Sequence, residues 1–218
     1  MEKNKKAYFI TGTDTDVGKT YIASALVRYF VQQGQTAVGM KPIAAGCERI
    51  NGELRNADVD ALLAASNIAA KLEDVNPYAF EPAIAPHIAA EQVGVTVSLN
   101  KIKHAFDALQ SQADVLIVEG AGGFCVPINR EQTMADLAVQ LGLPVIMVVG
   151  VKLGCINHAL MTAGSIRAAG LNLVGWVANR IDPNMPVIEE NNETLKAMIK
   201  APCIADVAWN AVPKFSAI

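Results

Sequence analysis

Continuous apolar runs punctuate this chain at spacings that leave room for a helix between them. Ala7-Tyr8-Phe9-Ile10, Val115-Leu116-Ile117-Val118 and Val145-Ile146-Met147-Val148-Val149 do not alternate with polar residues. A strand that is apolar on both faces is covered on both faces, as in a parallel sheet between helical layers. Strands are predicted at 7–12, 36–41, 114–119, 144–150 and 173–178. Between them, apolar residues at helical spacing predict helices at about 19–33, 58–66, 99–110, 134–141, 156–169 and 189–199. Strand and helix alternating through short connections imply an α/β fold, a doubly wound, mostly parallel sheet flanked by helices. The stretch 67–98 is less regular and holds Pro77, Pro82 and Pro86. It is too long for a plain connection and is expected to shape a site or an interface.

In such sheets ligands sit at the carboxyl ends of the strands. That rule selects Gly12 to Thr20, Lys41, Glu119, Val151 to Asn157, and Asn179. The first segment, Gly12-Thr13-Asp14-Thr15-Asp16-Val17-Gly18-Lys19-Thr20, lies between a strand and a helix. This is the build of a phosphate-binding loop of the P-loop NTPase type. Backbone N–H groups and the helix N-terminus face the phosphates. Lys19 can reach the β/γ oxygens and the Thr20 hydroxyl can ligate Mg²⁺. The usual spacing would put the first glycine at position 13, where this chain has Thr13, with Gly12 one place earlier.

Glu119 ends an apolar strand and is followed by Gly120-Ala121-Gly122-Gly123. A carboxylate there, beside a phosphate loop, resembles a Walker-B metal ligand with Glu in place of Asp. Asp58, in Leu54-Arg55-Asn56-Ala57-Asp58, reads as a helix N-cap, and Asp60 is an equally reasonable metal carboxylate on spacing alone. Lys41 closes the second strand, where a cation could stabilise a transferring phosphoryl group or its acceptor. Val151 to His158 opens a helix after Gly154, which makes a second candidate anion site. Asn179, at another strand end, could read an adenine edge or cap a turn.

The chain has 218 residues, 52% of them hydrophobic and 18% charged, which fits a single domain spanning 1–218. A net charge of −3 argues against bulk nucleic-acid or anionic-membrane binding, and no apolar run is long enough to span a bilayer. Lys3, Lys5 and Lys6 read as a solvated tail, since no apolar segment of a secretory signal follows them. Cys47, Cys125, Cys155 and Cys203 are scattered and read as reduced, mostly buried thiols of a cytoplasmic protein. His87, His104 and His158 show no metal-ligand spacing, and His87 reads as structural.

Taken in order, the phosphate loop, Met40-Lys41-Pro42-Ile43-Ala44, Leu54 to Asp58, Asn76 to Phe80, Ala85-Pro86-His87, Val118 to Gly123, Val149 to His158 and Gly175 to Asn179 resemble the dethiobiotin synthetase family. The likeness runs from about residue 7 to residue 209. It implies an ATP- and Mg²⁺-dependent ureido ring closure that joins 7,8-diaminononanoate and CO₂ into dethiobiotin, releasing ADP and phosphate. It further implies a homodimer with the substrate site at the subunit interface. Carried onto this chain, it makes Thr20, Asp58 and Glu119 the metal ligands, which chooses Asp58 over Asp60. Lys19 and Lys41 become the catalytic cations. Asp16, Val17, Gly18, Lys19, Thr20, Asp58, Glu119, Gly120, Ala121 and Gly122 surround the phosphates and metal, and Asn179, Arg180, Ala208, Trp209 and Asn210 the base. Thr15, Lys41 and Ala45, with Gly154, Cys155, Ile156 and Asn157 of the partner subunit, would hold the diamine. Ala45 stands where the family usually has Ser, Asp16 where it often has Glu, and Ala205 to Asn210 where it more often has Gly-Glu-Ile-Pro and a longer tail. The rival reading is a partitioning or maturation ATPase that works as a dimer switch. Such proteins carry an additional Lys early in the loop, and Thr13 to Asp16 hold none.

Overall fold

A computed structural model describes residues 5–216. In chain order its strands are β1 (Lys6–Gly12), β2 (Ala37–Met40), β3 (Ile43–Ala45), β4 (Glu48–Ile50), β5 (Glu53–Arg55), β6 (Tyr78–Phe80), β7 (Val115–Gly123), β8 (Val145–Gly150), β9 (Leu173–Asn179) and β10 (Cys203–Val207). Its helices are α1 (Lys19–Gln32), α2 (Ala57–Ala65), α3 (Leu72–Val75), α4 (Pro86–Gln92), α5 (Leu99–Gln112), α6 (Met134–Leu141), α7 (Cys155–Ala168) and α8 (Ile188–Met198). The expected helices all form, within two residues of their predicted bounds.

The main sheet has six strands in the order β10-β9-β8-β1-β7-β2. Every pairing in it is parallel. Both faces are buried, as the continuous apolar runs require. Phe9, Leu116, Val118 and Met147 join one core, while Tyr8, Ile10, Ile117 and Ile146 join the other. Successive side chains on a strand point to opposite faces, so each run supplies both cores at once. The five predicted strands form five of the six. β10 was not predicted: it is short, it pairs on one side only, and Asp206 interrupts its apolar pattern.

Three features differ from expectation. The Gly120–Gly123 segment is not a free loop but the continuation of β7, and only Gly122 there takes a positive φ, +63°. Helix α2 is capped by Asn56, whose side chain accepts from the N–H groups of Asp58 and Val59; Asp58 is in the first turn, not the cap. Lys5 and Lys6 are not a solvated tail. Lys6 opens β1, and Lys5 Nζ donates to the carbonyls of Gln110 and Ser111 at the end of α5. Lys3 lies outside the described residues.

The irregular stretch resolves into α3, β6 and α4, with β6 pairing in parallel to β3 beside the main sheet. At the far end, residues 211–216 cross α1: Tyr21 Oη donates to the Ala211 carbonyl and Phe215 sits edge-on to Tyr29. Cys47 and Cys155 are buried, Cys203 is half-buried and Cys125 is exposed, and all four are free thiols. No helix among the described residues is long and apolar enough to cross a membrane.

Candidate nucleotide and substrate site

Gly12, Met40, Gly150, Asn179 and Val207 are the last residues of their strands, so one edge of the sheet collects the loops that follow them. The phosphate loop leaves β1 at Gly12 and enters α1 at Lys19. Asp16 has φ +57° and Gly18 φ +87°, two left-handed residues that fold the loop back over the helix N-terminus. No side chain caps α1, so the first N–H groups of the helix stay available to an anion. Val17 is fully buried beneath the loop, and Asn179 Nδ2 donates to its carbonyl at 2.9 Å. The same contact explains Gly18: a Cβ there would lie 2.2 Å from Asn179 Nδ2. Thr15 and Asp16 are exposed at the loop tip. Lys19 folds back along the loop and donates to the Asp14 carbonyl at 2.8 Å. Burial, and then the neighbouring Lys41 ammonium, pull its pKa down to about 8.

Behind the loop, four side chains converge, from α1, α2, β7 and the residue that follows β2. Lys41 Nζ lies 2.5 Å from Glu119 Oε1 and 2.9 Å from Asp58 Oδ2. The Thr20 hydroxyl donates to the same Glu119 oxygen at 2.7 Å. Glu119 is completely buried, and its second oxygen, Oε2, has no partner among the described residues. Burial alone would lower the pKa of Lys41, but Glu119 and Asp58 outweigh it and hold the ammonium above its ordinary value. Burial likewise raises Asp58, and the charge and hydrogen bond of Lys41 more than reverse that, so its carboxyl ends below the usual range. Asp60, which spacing alone could not separate from Asp58, is turned away and pairs with Arg55 at 2.5 Å.

Two asparagines that sequence reasoning passed over hold this cluster in place. Asn76 Nδ2 donates to the Lys41 carbonyl at 2.6 Å and to that of Tyr78 at 3.0 Å, while the Lys41 N–H donates to the Val75 carbonyl. The segment 67–98 therefore shapes the site by fixing the backbone of Lys41. Asn56 caps α2 and donates to the Ala45 carbonyl at 3.3 Å, tying β3 to the helix that carries Asp58. The only signal for either was an Asn beside a helix boundary, which is common in turns with no site nearby.

The remaining predicted residues fall in four places. Gly120 is buried, and Ala121 and Gly122 are half-buried, along the outgoing end of β7. Gly154, at φ +93°, opens α7 with no side-chain cap, but the Cys155 N–H donates to the Lys152 carbonyl at 3.0 Å, so fewer N–H groups are left for an anion than at α1. Cys155 is buried with its N–H already bonded, Ile156 is half-buried and Asn157 exposed, so the open N–H groups belong to the latter two. Ala45 is half-buried at the end of β3. A cavity of about 340 Å³ is lined by Tyr21, Asn179, Arg180, Ile181, Ala208, Trp209 and Asn210, which gathers the expected base contacts. Within it, Arg180 departs from expectation. Its guanidinium is spent on Asp206, at 2.8 Å from both Nε and Nη2, and on Glu189 at 2.6 Å, so it braces β10 against α8 instead of pointing at a base. A larger cavity, about 850 Å³, is lined by residues including His87, Ser98, Asn100 and Arg130 and shares none with the loop or the cluster. Size alone would have chosen it, but its charged residues, Glu91, Arg130 and Glu131, are exposed, the first two paired with each other, and the buried charges lie elsewhere. His87 belongs there, with a buried Nδ1 that lacks a partner among the described residues.

Comparison with known proteins bears on this edge of the sheet. A family described as an AAA domain matches residues 6–214. The ATP-dependent dethiobiotin synthetase BioD of Nitrosospira multiformis is 53% identical over 205 residues, 94% of this chain and 89% of that protein. Proteins of the same name from Aromatoleum aromaticum and Cellvibrio japonicus are 51% and 52% identical, over 93% and 94% of this chain and 90% of each of theirs. Among solved structures, the MinD cell division protein of Aquifex aeolicus superposes with a TM-score of 0.56 at 17% identity, covering 93% of this chain and 81% of that one. The signal recognition particle 54 kDa protein of Aeropyrum pernix, in complex with GDP, gives 0.59 at 15% identity, covering 99% of this chain and 45% of that one. At such identities these two structures speak for the fold alone.

Proposed function

The chain belongs to the ATP-dependent dethiobiotin synthetase family, ligases of biotin biosynthesis, and on that footing we propose how its residues divide the work. The substrates are 7,8-diaminononanoate, CO₂ and ATP, with Mg²⁺ held by Thr20, Asp58 and Glu119. These are hard oxygen donors of the kind Mg²⁺ prefers, and the orphaned, fully buried Glu119 Oε2 supports a cation there. When bound, Mg²⁺ would neutralise charge on the β- and γ-phosphates.

One amine of the diamine takes up CO₂ as a carbamate. The carbamate oxygen attacks the γ-phosphorus and ADP leaves, giving a carbamic–phosphoric anhydride. The second amine then attacks the carbonyl, closes the ureido ring and expels phosphate. Little covalent chemistry is asked of the protein, so positioning and charge supply the rate. The backbone N–H groups at the start of α1 hold the phosphates, with Asp16, Val17 and Gly18 shaping the loop. Lys19 leaves the Asp14 carbonyl for the β/γ oxygens. Lys41 balances charge on the transferring group. Asn179, Ala208, Trp209 and Asn210 surround the base, with Arg180 bracing that wall. Thr15 and Ala45 face the diamine, and Gly120, Ala121 and Gly122 border the phosphates and metal.

The single domain, 1–218, works as a cytoplasmic homodimer in which Gly154 to Asn157 of the partner subunit present N–H groups to the substrate carboxylate. Support for a partner surface there is apolar exposure: Leu153, just before α7, is 91% exposed, and Met161, midway along α7, is 63% exposed.

The observation that carries this reading is the convergence of Lys41, Thr20, Asp58 and Glu119 behind the phosphate loop. Phosphate release is measured with Mg-ATP and bicarbonate, with and without the diamine, and the product is weighed. Strict dependence on the diamine, with a dethiobiotin mass, is expected. Hydrolysis indifferent to the diamine would move the dimer-switch ATPase to the front.

A further inference from the structure

The Lys41 ammonium occupies the ground that a divalent cation would need. It bridges Glu119 Oε1 and Asp58 Oδ2 at 2.5 and 2.9 Å, and the Thr20 hydroxyl shares that Glu119 oxygen. Mg²⁺ binds oxygen at about 2.0–2.1 Å. A cation on both carboxylates would therefore lie within a few ångströms of the ammonium, in a pocket closed on the Glu119 side and open to solvent only at Asp58. Glu119 Oε2 is open, but a cation that also reaches Asp58 and the Thr20 hydroxyl must approach the oxygens that Lys41 holds, and two positive charges on them repel. We propose that Lys41 is the resident counter-ion of the metal site, and that divalent-cation entry evicts its ammonium toward the reacting phosphoryl group. This rests on the reading of Thr20, Asp58 and Glu119 as the metal ligands.

The structure favours an exchange confined to the side chain. The Lys41 backbone is fixed on both sides, its N–H by the Val75 carbonyl and its carbonyl by Asn76 Nδ2. The flexible four-carbon stem is free to swing about that anchor. Asp58 is the more exposed of the two carboxylates, its side chain 42% exposed against 0% for Glu119, so it gives the open side from which a cation enters. The consequence is an order of events. An ammonium locked between two carboxylates is unavailable to the substrate, and metal loading is what releases it. Lys41 is thus presented to the γ-phosphate only after the cation that the reaction needs is in place.

The test uses Mn²⁺ binding to the full chain without nucleotide, followed by electron paramagnetic resonance. A site closed by its own counter-ion binds with an affinity reduced by the fraction of time it is open. Lys41→Met is expected to tighten Mn²⁺ binding by about tenfold or more. Part of any gain could be loss of one positive charge, so the gain is measured again with Asp58→Asn present. Direct competition predicts that it shrinks to about twofold or less, because a bridging partner of the ammonium is gone. Equal Mn²⁺ affinity in wild type and Lys41→Met, with binding lost in Glu119→Gln, would leave the metal-ligand reading standing and overturn the exchange. Binding unaffected by both Asp58→Asn and Glu119→Gln would overturn the ligand reading itself. Should Lys41→Met not fold, the wild-type chain labelled with ¹⁵N at lysine Nζ decides. The Lys41 ammonium resonance is expected to move with Mg²⁺ occupancy, and a resonance unmoved at saturation overturns the proposal.

Discussion

Gly18→Ala should destabilise the protein through a clash with one named atom. Gly18 holds φ +87°, which costs an L-residue about 1–2 kcal/mol. An ideal Cβ there would lie 2.2 Å from Asn179 Nδ2, far inside contact, and the only other atom within 4 Å is Asn179 Cγ. The amide must therefore move, and moving breaks its bond to the Val17 carbonyl, a loss of about 1 kcal/mol. Together these predict about 2–3 kcal/mol. For a domain of this size that lowers Tm by about 4–12 °C. The decisive assay is a double-mutant cycle read by thermal and urea unfolding. In an Asn179→Ala background both obstructing atoms are absent, so Gly18→Ala should cost only the backbone strain, and the coupling should be about 1 kcal/mol. Full additivity would refute the interlock between loop and β9. Nucleotide affinity follows the same logic, since a displaced Asn179 no longer fixes the loop through Val17.

Three further outcomes follow from the site. Lys41→Gln should lose most of kcat while ATP still binds; near-normal turnover, measured beside an ATP titration, would remove Lys41 from the chemistry. Lys19, with its pKa pulled down to about 8, should make nucleotide affinity fall as pH rises through 8, because the free protein loses the charge that the phosphates need. Binding near pH 8 should take up protons, seen by calorimetry in buffers of different ionisation enthalpy, and at pH 6.5 uptake should vanish because Lys19 is already charged. The sign for stability is the opposite: a folded-state pKa below the unfolded one disfavours folding at low pH, so this group's penalty is present below about 8 and disappears as pH rises toward 10.5. Ala45→Ser should lower KM for the diamine by about fivefold, the worth of one hydrogen bond, with kcat little changed. An unchanged KM would mean that position 45 does not face the substrate.

The apolar runs of β1, β7 and β8 are buried on both faces because nothing polar interrupts them, so the parallel sheet and its two helical layers follow from local composition. The phosphate loop is legible for the same reason. Gly12, Gly18, Lys19 and Thr20 lie within one short loop, so their spacing is their geometry. Glu119 was legible because it ends the apolar run of β7, although the strand itself continues to Gly123. Elsewhere the partners are distant in sequence. Asp58 and Asp60 are two residues apart on one helix, and only the approach of Lys41 to one and Arg55 to the other tells them apart. Arg180 looked like a base contact until α8 and β10 brought Glu189 and Asp206 to it. Asn76 holds a carbonyl 35 residues away. An amide or a carboxylate takes its role from whichever charge the folded chain sets beside it, and no local pattern records that neighbour. The sequence by itself determined the sheet, the loop and the family. The tertiary structure alone decided which carboxylate meets Lys41 and what holds it there.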